Sequence, residues 1–149
     1  MEIDLQGKLL RVLEQGKFYR IGGNREIEVN LRIIAITNKD LEKEVKNRRF
    51  RQDLYYRLKV FPIHILPLRE RKGDIPLFVN YFVKEYSRKF RKPINKVSKE
   101  VLKIMENYDF PGNIRELKNI VERAVILCDG MEITREYLPD IFYNTKANN

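Results

Sequence analysis

The interpretation of this chain is decided by two stretches, Gly112-Asn113-Ile114-Arg115-Glu116-Leu117 and Phe50-Arg51-Gln52-Asp53-Leu54-Tyr55-Tyr56-Arg57-Leu58. Both place arginines where ordinary packing gives little reason for them. At the start of a helix, a cation opposes the helix dipole at a cost of a few tenths to about 1 kcal/mol. We therefore take Arg51, Arg57 and Arg115 as candidate functional residues.

Each of these arginines has a functional and a purely structural interpretation. In the functional one, Arg51 and Arg57 reach the γ-phosphate of a nucleotide on a neighbouring subunit, and Arg115 binds a phosphate at a helix end. In the structural one, Arg57 pairs with Asp53 four residues earlier and Arg51 is solvated. The cost of Arg115 is then offset by the adjacent Glu116. Spacing alone leaves both interpretations open.

Composition sets limits on the class of protein. The chain has 149 residues and is 43% hydrophobic, so it should fold rather than remain disordered. Its formal charge of +9 indicates either a polyanionic partner or simply a solvated basic surface. One Cys and one His exclude a disulfide framework and make a zinc site improbable, which fits a reducing cytoplasm. No apolar run approaches the roughly 20 residues of a membrane helix.

The first part of the chain, residues 1–66, has the pattern of an incomplete α/β unit. It opens with a helix and a hairpin, continues with a strand buried on both faces, and adds two helices and an edge strand. These elements are predicted at Asp4–Gln15, around Gly22-Gly23-Asn24, at Ile33–Ile36, at Asp40–Arg48, at Gln52–Leu58 and at Val60–Ile65. Gly16 is the predicted stop of the first helix, and Asp40 is the predicted cap of the second. A strand and a hairpin make a poor core by themselves.

The second part is predicted to be all-α and covers residues 76–142, after a linker at residues 67–75. Its apolar residues recur at helical spacing in three helices, the first two capped by Asp74 and Ser98 and the third closed by Gly130. Residues 143–149 are predicted to form a tail.

Five ordered blocks resemble the AAA+ ATPase domain of sigma-54-dependent bacterial transcription activators, the enhancer-binding proteins of the NtrC type. The blocks are Leu5–Leu13, Arg32–Asn38, Phe50–Leu58, Pro67–Pro76 and Pro111–Leu117. The resemblance implies an α/β remnant of an AAA+ P-loop NTPase core, followed by an all-α helical lid, with a mostly α fold overall.

The resemblance also implies roles for residues of the first part. The positions matching Thr37 and Asn38 form sensor I, which detects the γ-phosphate state. The positions matching Arg51 and Arg57 are arginine fingers that act in trans on the ATP site of the next subunit. The stretch Phe18–Glu28 matches a surface loop that works with the loop contacting the sigma factor.

In the second part, the position matching Arg115 is sensor II, on the lid over the bound nucleotide. The linker Leu66–Ile75 lies near the adenine in the family, which makes Ile75 a further candidate for nucleotide binding. No metal ligand is assigned to this chain.

The family uses ATP and Mg²⁺ in a ring of identical subunits and remodels sigma-54 RNA polymerase. By resemblance, we expect a cytoplasmic ring protein without membrane contact, which reaches DNA through a domain not in this chain.

The chain departs from the family pattern because it contains no GxxxxGK[ST] loop; Gly7-Lys8 and Gly16-Lys17 lack the upstream Gly and the following Ser or Thr. The family's Asp-Glu magnesium pair would fall upstream of Met1, and the Gly-Ala-Phe-Thr-Gly-Ala loop is missing. We therefore expect no autonomous ATP hydrolysis and no tightly bound cofactor.

Two other functions are compatible with parts of the sequence. The helices at Lys99–Asn107 and Ile114–Cys128, joined through Pro111-Gly112, imitate a DNA-binding helix-turn-helix, although two carboxylates lie on the second helix and the turn is long. Alternatively, the chain is a non-catalytic remnant that binds a ring partner and inhibits hydrolysis by an intact relative.

Overall fold

Helices account for most of the regular secondary structure in this computed structural model, which describes residues 2–143. The fold separates into two compact units, with the division between His64 and Ile65. We call residues 2–64 the first unit and residues 65–143 the lid unit. Residues 144–149, most of the predicted tail, lie outside the described residues.

The first unit begins with the predicted helix and hairpin. Helix α1 covers Ile3–Gln15 and ends at Gly16, whose φ of 66° is left-handed. This conformation and the carbonyl of Val29, 3.1 Å from where a Cβ would stand, favour glycine there. Strands β1 (Lys17–Tyr19) and β2 (Glu26–Glu28) then pair antiparallel, with Phe18 opposite Ile27.

Two short helices complete the first unit. Asp40 caps α2 (Leu41–Lys46), and its carboxylate accepts from the backbone N–H groups of Glu42 and Lys43 at 3.1 and 3.2 Å, as predicted. Helix α3 covers Gln52–Leu58 and packs against both α1 and α2. Few side chains are fully enclosed, because only Gln6, Leu54 and Tyr55 are buried among the described residues of this unit.

The two strands predicted at Ile33–Ile36 and Val60–Ile65 are not formed, and that expectation was wrong. Neither stretch has regular secondary structure, and their apolar side chains are exposed, with Ile36 at 92%. A strand is stabilised by hydrogen bonds and side-chain packing from neighbouring strands. No described segment lies alongside either stretch as such a neighbour. The apolar pattern is therefore present without the sheet that would bury it.

The lid unit is built from three helices around one core. Helices α4 (Ile75–Phe90), α5 (Lys99–Glu106) and α6 (Asn113–Leu127) pack together, with α4 against both others. The buried apolar side chains are Leu68, Ile75, Val79, Phe82, Val83, Tyr86, Ile94, Val97, Val101, Met105, Phe110, Leu117, Ile120, Val121, Ala124, Val125, Cys128, Ile133, Leu138 and Phe142. This core is far larger than that of the first unit, so burial stabilises the lid unit more.

The lid unit differs in two details from the all-α prediction. Strands β3 (Lys96–Val97) and β4 (Glu132–Ile133) form a short parallel pair, which holds the chain after α6 beside the start of α5. Single 3₁₀ turns also occur at Leu68–Glu70, Lys72–Asp74, Arg135–Tyr137 and Asp140–Phe142.

Of the two helix caps predicted in the lid unit, at Asp74 and Ser98, only the second is formed. The hydroxyl of Ser98 accepts from the N–H of Val101 at 3.2 Å and caps α5. Asp74 makes no capping bond, because its backbone is already helical (φ −82°, ψ −17°) and its carboxylate pairs with Arg71 at 3.8 Å.

Candidate functional site

Arg51 is fixed at both its backbone and its side chain. It is the N-cap residue of α3, and its N–H donates to Gln6 Oε1 at 2.8 Å. Its guanidinium donates twice to the Asp53 carboxylate, from Nε at 3.1 Å and from Nη2 at 2.7 Å. These bonds raise the pKa of Arg51 and lower the pKa of Asp53, so both groups stay charged. About two-fifths of the Arg51 side chain remains exposed, at 43%.

Arg57 has a different partner from the one that its spacing suggested. Its Nη2 donates to the backbone carbonyl of Leu13 at 3.1 Å. The predicted pairing of Arg57 with Asp53, and the solvation of Arg51 that went with it, were wrong because the Asp53 carboxylate is bound by Arg51. The carbonyl of Leu13 lies in the last turn of α1, where carbonyl groups lack partners in the helix and the dipole favours a cation.

Both candidate fingers therefore lie on the side of α3 that faces α1. Arg51 is the extended N-cap residue and Arg57 lies in the last turn of α3, so the two bond to different parts of α1, at Gln6 and at Leu13. A shallow depression of about 520 Å³ is lined by Arg51, Gln52, Asp53 and Tyr56. Arg57 is not among its lining residues, so the first unit does not bring the two guanidinium groups into one depression.

Thr37 and Asn38, the candidates for sensor I, are exposed, with Asn38 at the start of a bend and Thr37 just before it. The hydroxyl of Thr37 accepts from the N–H of Lys39 at 3.0 Å, a local turn of the kind that Thr favours. The strand predicted before these residues is not formed. Their assignment to a nucleotide site stays a prediction.

At the start of α6, Arg115 and Glu116 have separate environments. Glu116 closes the preceding turn: Oε2 accepts from the N–H of Gly112 at 2.7 Å and Oε1 accepts from the hydroxyl of Tyr108 at 2.9 Å. Arg115 is exposed and makes no hydrogen bond or ion pair with any residue that the structure describes. The purely structural interpretation therefore explains only part of this arrangement. Glu116 offsets the cost of a cation at the helix N-terminus, but the guanidinium of Arg115 has no partner among the described residues.

Arg115 lines an open depression of about 590 Å³ on the lid unit. The lining residues are Pro111, Gly112, Arg115, Glu116, Asn119, Ile120, Arg123, Pro139 and Ile141. Arg115 and Arg123 give this surface a positive edge over an apolar floor. An arginine without a partner at a helix N-terminus is suited to bind a phosphate or a carboxylate.

The turn before α6 is packed as well as hydrogen-bonded. The ring of Tyr108 makes edge contacts with Phe110 and Phe142, at centroid distances of 4.9 and 5.0 Å. Burial, and secondarily the bond to Glu116, raises the pKa of Tyr108 to about 12, so its hydroxyl stays protonated as the donor to that carboxylate near neutral pH. The backbone that carries Arg115 is therefore held from one side by Tyr108 and Glu116.

Asn113 holds the same turn from the other side. It has a left-handed backbone with φ of 53°, which Asn tolerates better than most residues. Its Oδ1 accepts from the N–H of Leu68 at 2.8 Å, linking the first residue of α6 to the 3₁₀ turn at Leu68–Glu70. The interdomain linker of the sequence prediction is thus tied to the helix that carries Arg115.

Substitution of Asn113 should show whether the side-chain acceptor or the backbone conformation matters more. We expect Asn113→Ala to lower the free energy of unfolding of the 149-residue chain by about 1–3 kcal/mol, because it leaves the Leu68 N–H without a partner and places Ala at positive φ. Asn113→Asp keeps an acceptor and should stay close to wild type. Asn113→Gly relieves the strain of the positive φ but still removes the acceptor for the Leu68 N–H, so its loss should be smaller than that of Asn113→Ala. Urea unfolding followed by circular dichroism measures this, and equal losses for Ala and Asp would contradict the role of the hydrogen bond.

Ile75 is placed differently from the other candidates. It opens α4 and is fully buried in the core of the lid unit. Its side chain is therefore used for packing within this unit, and its assignment to the nucleotide site stays a prediction.

Within residues 2–143, no three His, Cys, Asp or Glu side chains come together as a metal site. In the same range no helix is long and apolar enough to span a membrane.

Three positioning residues were missed from sequence. Gln6 carried a signal, because it shares a helical face with Leu10 and Leu13, and a polar residue on an apolar face needs a buried partner. Glu116 was noted only as a neighbour of Arg115, and the partner of Asn113 lies 45 residues away at Leu68. No local pattern points to that contact.

Family models match both units. The model described as the sigma-54 interaction domain matches residues 1–64, and the one described as the AAA+ ATPase lid domain matches residues 69–149.

Curated relatives are similar over nearly the whole chain. The formate hydrogenlyase transcriptional activator FhlA of Escherichia coli (strain K12) is 49% identical over 141 residues, which are 95% of this chain and 20% of that protein. The phenol regulator MopR of Acinetobacter guillouiae is 48% identical over 83% of this chain and 22% of its own length. The nitrogen fixation protein VnfA of Azotobacter vinelandii is 46% identical, with shares of 93% and 27%. The chain thus spans about a quarter or less of these proteins.

Solved structures share the fold. The crystal structure of NtrX from Brucella abortus in complex with ADP has a TM-score of 0.90 at 34% identity, covering 100% of this chain and 35% of that one. The structure of NtrX in complex with ATP gives the same values.

Proposed function

Because this chain belongs to the AAA+ ATPase domains of sigma-54-dependent transcription activators and is part of such a domain, we propose that it couples ATP hydrolysis to transcription initiation. In the complete domain it works in a ring of identical subunits in the cytoplasm. The energy of hydrolysis remodels sigma-54 RNA polymerase so that promoter DNA opens, and DNA is bound through another domain. The family assignment confirms the resemblance inferred from the five sequence blocks.

The observation that carries the proposal is the state of Arg115. It lies in the first turn of a long helix, is exposed and has no partner among the described residues. Glu116, beside it, already accepts the hydrogen bond from the N–H of Gly112 in the preceding turn. A helix N-terminus attracts anions, and a guanidinium adds a charged, directional donor. We assign Arg115 to a phosphate of bound ATP, with Thr37, Asn38 and Ile75 as further nucleotide-binding positions.

In this proposal, Arg51 and Arg57 act on the ATP of the next subunit. Both are exposed and partly ordered. The backbone of Arg51 and the guanidinium of Arg57 are bonded to α1, and the guanidinium of Arg51 is held by Asp53, so less conformational freedom is lost when they meet a phosphate. Arginines supplied in trans stabilise charge on the transferred phosphoryl group. Mg²⁺ and the phosphate-binding loop would come from other residues of the complete domain, since this chain has no GxxxxGK[ST] loop. We therefore assign no hydrolysis to the 149-residue chain alone.

The test uses a chimaeric ATPase, in which residues 1–149 replace the matching segment of a family member that hydrolyses ATP. Identity of 49% over 141 residues makes such a replacement practicable. We expect Arg115→Ala to lower kcat/KM for ATP by about 10- to 100-fold, the effect of losing one hydrogen bond to a charged group. Steady-state hydrolysis across ATP concentrations measures it.

Arg123→Ala is the matched control, because Arg123 lies on the same helix, lines the same depression and is also exposed. We expect Arg123→Ala to stay within about twofold of wild type, because Arg123 lies eight positions, about 12 Å along the axis, further from the helix N-terminus to which the proposal assigns the phosphate. Equal effects of the two substitutions, or a chimaera without ATP hydrolysis, would contradict the proposal.

The two other functions from the sequence are outcomes of related measurements. The structure gives no support to a helix-turn-helix, because six residues, 107–112, separate the end of α5 from the start of α6. On α6, Glu122 pairs with Lys89 and Lys118 pairs with Glu85. An inhibitory remnant would lower hydrolysis when the 149-residue chain is added to an intact relative. Loss of that inhibition in Arg51→Ala would favour this role over coupling within one chain.

A further inference from the structure

Gln6 is the one buried polar residue in the part of the first unit that the structure describes, and the proposed chemistry leaves it unexplained. It lies on α1, its side chain is 0% exposed, and both ends of its carboxamide bind the segment that carries Arg51. Oε1 accepts from the N–H of Arg51 at 2.8 Å, and Nε2 donates to the carbonyl of Arg49 at 3.0 Å. Burying a carboxamide is costly unless its donor and acceptor are both used, which they are here.

These two bonds fix the backbone on both sides of Phe50, the residue before Arg51. The carbonyl of Arg51 accepts from the N–H of Tyr55 at 3.1 Å, so both polar groups of the Arg51 backbone are bonded. Its guanidinium lies beside the same turn of α1, with Nη1 3.4 Å from where a Cβ on Gly7 would stand. Without Gln6, the N–H of Arg51 would lose its buried acceptor at the N-cap position of α3.

We infer that Gln6 is a positioning residue for Arg51: it anchors the finger segment to α1 and sets where the guanidinium is presented to the neighbouring subunit. The inference rests on the proposed role of Arg51 as an arginine finger. Gln6 itself touches no substrate in this arrangement. Its effect on hydrolysis should pass entirely through Arg51, because a misplacement of about 1 Å is enough to cost up to roughly 10²-fold in rate.

A double-mutant cycle in the chimaeric ATPase tests this coupling. Gln6→Met keeps the length of the side chain and removes both hydrogen bonds. We expect it to lower kcat by about 10- to 100-fold with little change in KM for ATP, because the finger stabilises the transition state at another subunit. In the Arg51→Ala background we expect Gln6→Met to lower kcat no further. Single-turnover hydrolysis of radiolabelled ATP measures the slow variants.

The matched control is Gln15→Met, the same change on the same helix at an exposed position. Among residues 2–143, the Gln15 amide bonds only to Arg11, from whose Nε its oxygen accepts at 3.0 Å. It should leave kcat unchanged. If Gln6→Met yields no folded ring, the cycle is run with Gln6→Glu, which keeps an acceptor for the Arg51 N–H and removes the donor to Arg49.

The outcomes separate the inference from the function on which it rests. A loss of kcat from the Gln6 substitution that is undiminished in the Arg51→Ala background would make Gln6 a purely structural residue and overturn the inference. Normal kcat in Gln6→Met, with a large loss in Arg51→Ala, would overturn the inference and leave the finger role intact. Normal kcat in Arg51→Ala itself would overturn both.

Discussion

Replacing Arg51 or Arg57 by alanine in the chimaeric ATPase is expected to slow ATP hydrolysis by about 10³- to 10⁵-fold, the range found for arginines that act in trans. ATP binding should change little, because the nucleotide is held by the other subunit of the pair. The loss should therefore appear in kcat, with KM close to wild type. Steady-state hydrolysis and equilibrium binding of a nucleotide analogue measure the two quantities separately.

Arg49→Ala is the control for this prediction. Arg49 precedes Arg51 by two positions and is exposed. Its hydrogen bonds with described residues come from its backbone: the carbonyl accepts from Gln6 Nε2 at 3.0 Å, and the N–H donates to the carbonyl of Glu44 at 2.9 Å. Its side chain should be dispensable. Arg51→Lys and Arg57→Lys keep the charge but lose the planar guanidinium, so they should recover only part of the rate.

Mixed rings test whether the arginines act on a neighbour. A subunit without its finger arginines still carries an intact ATP site, and a subunit with a damaged phosphate-binding loop still carries intact fingers. Mixing the two inactive variants should restore hydrolysis, since some sites then receive both parts. A mixture as inactive as its components would show that Arg51 and Arg57 do not act in trans.

Leu117→Ala is expected to destabilise the lid unit by about 2–5 kcal/mol, because it empties space in a close-packed core. Leu117 is 0% exposed on α6. Domains of this size are commonly stable by only about 5–15 kcal/mol, so the substitution removes a large share. Urea unfolding of the 149-residue chain, followed by helical circular dichroism, measures the change.

Leu127→Ala supplies the comparison on the same helix. Leu127 is 48% exposed at the last residue of α6, so the same substitution should cost less than about 1 kcal/mol. Losses of similar size at the two positions would mean that the lid core does not govern the observed transition. A separate, earlier transition unaffected by either substitution would belong to the first unit.

Local sequence rules predicted the helices well. Gly16 ends α1, Asp40 caps α2 and Ser98 caps α5, because each of these signals acts within a few residues. The α/β part followed by a mostly helical lid is confirmed as the fold class by the similarity to NtrX at a TM-score of 0.90. The strands at Ile33–Ile36 and Val60–Ile65 were predicted from their own composition, which cannot supply the neighbours that a strand needs.

The candidate site was less predictable, because its geometry depends on contacts distant in sequence. The partner of Arg57 is a carbonyl 44 residues away, and the anchor of Arg51 is an amide 45 residues away. The i,i+4 rule paired Arg57 with Asp53, whereas in the structure Asp53 pairs with Arg51, two positions before it, and Arg57 bonds to the distant carbonyl of Leu13. The roles of Thr37, Asn38, Ile75 and the three arginines stay predictions that rest on the family.

The uncovered apolar stretches of the first unit have a practical consequence for work with the chain in solution. Ile34, Ile36, Phe61 and Ile63 are largely exposed, in segments whose backbone is free of regular pairing. Such segments favour strand pairing between molecules. The charge of +9 opposes this association at low ionic strength, but salt screens that repulsion. Colloidal stability should therefore fall as salt is added, and the first unit rather than the well-packed lid should govern it.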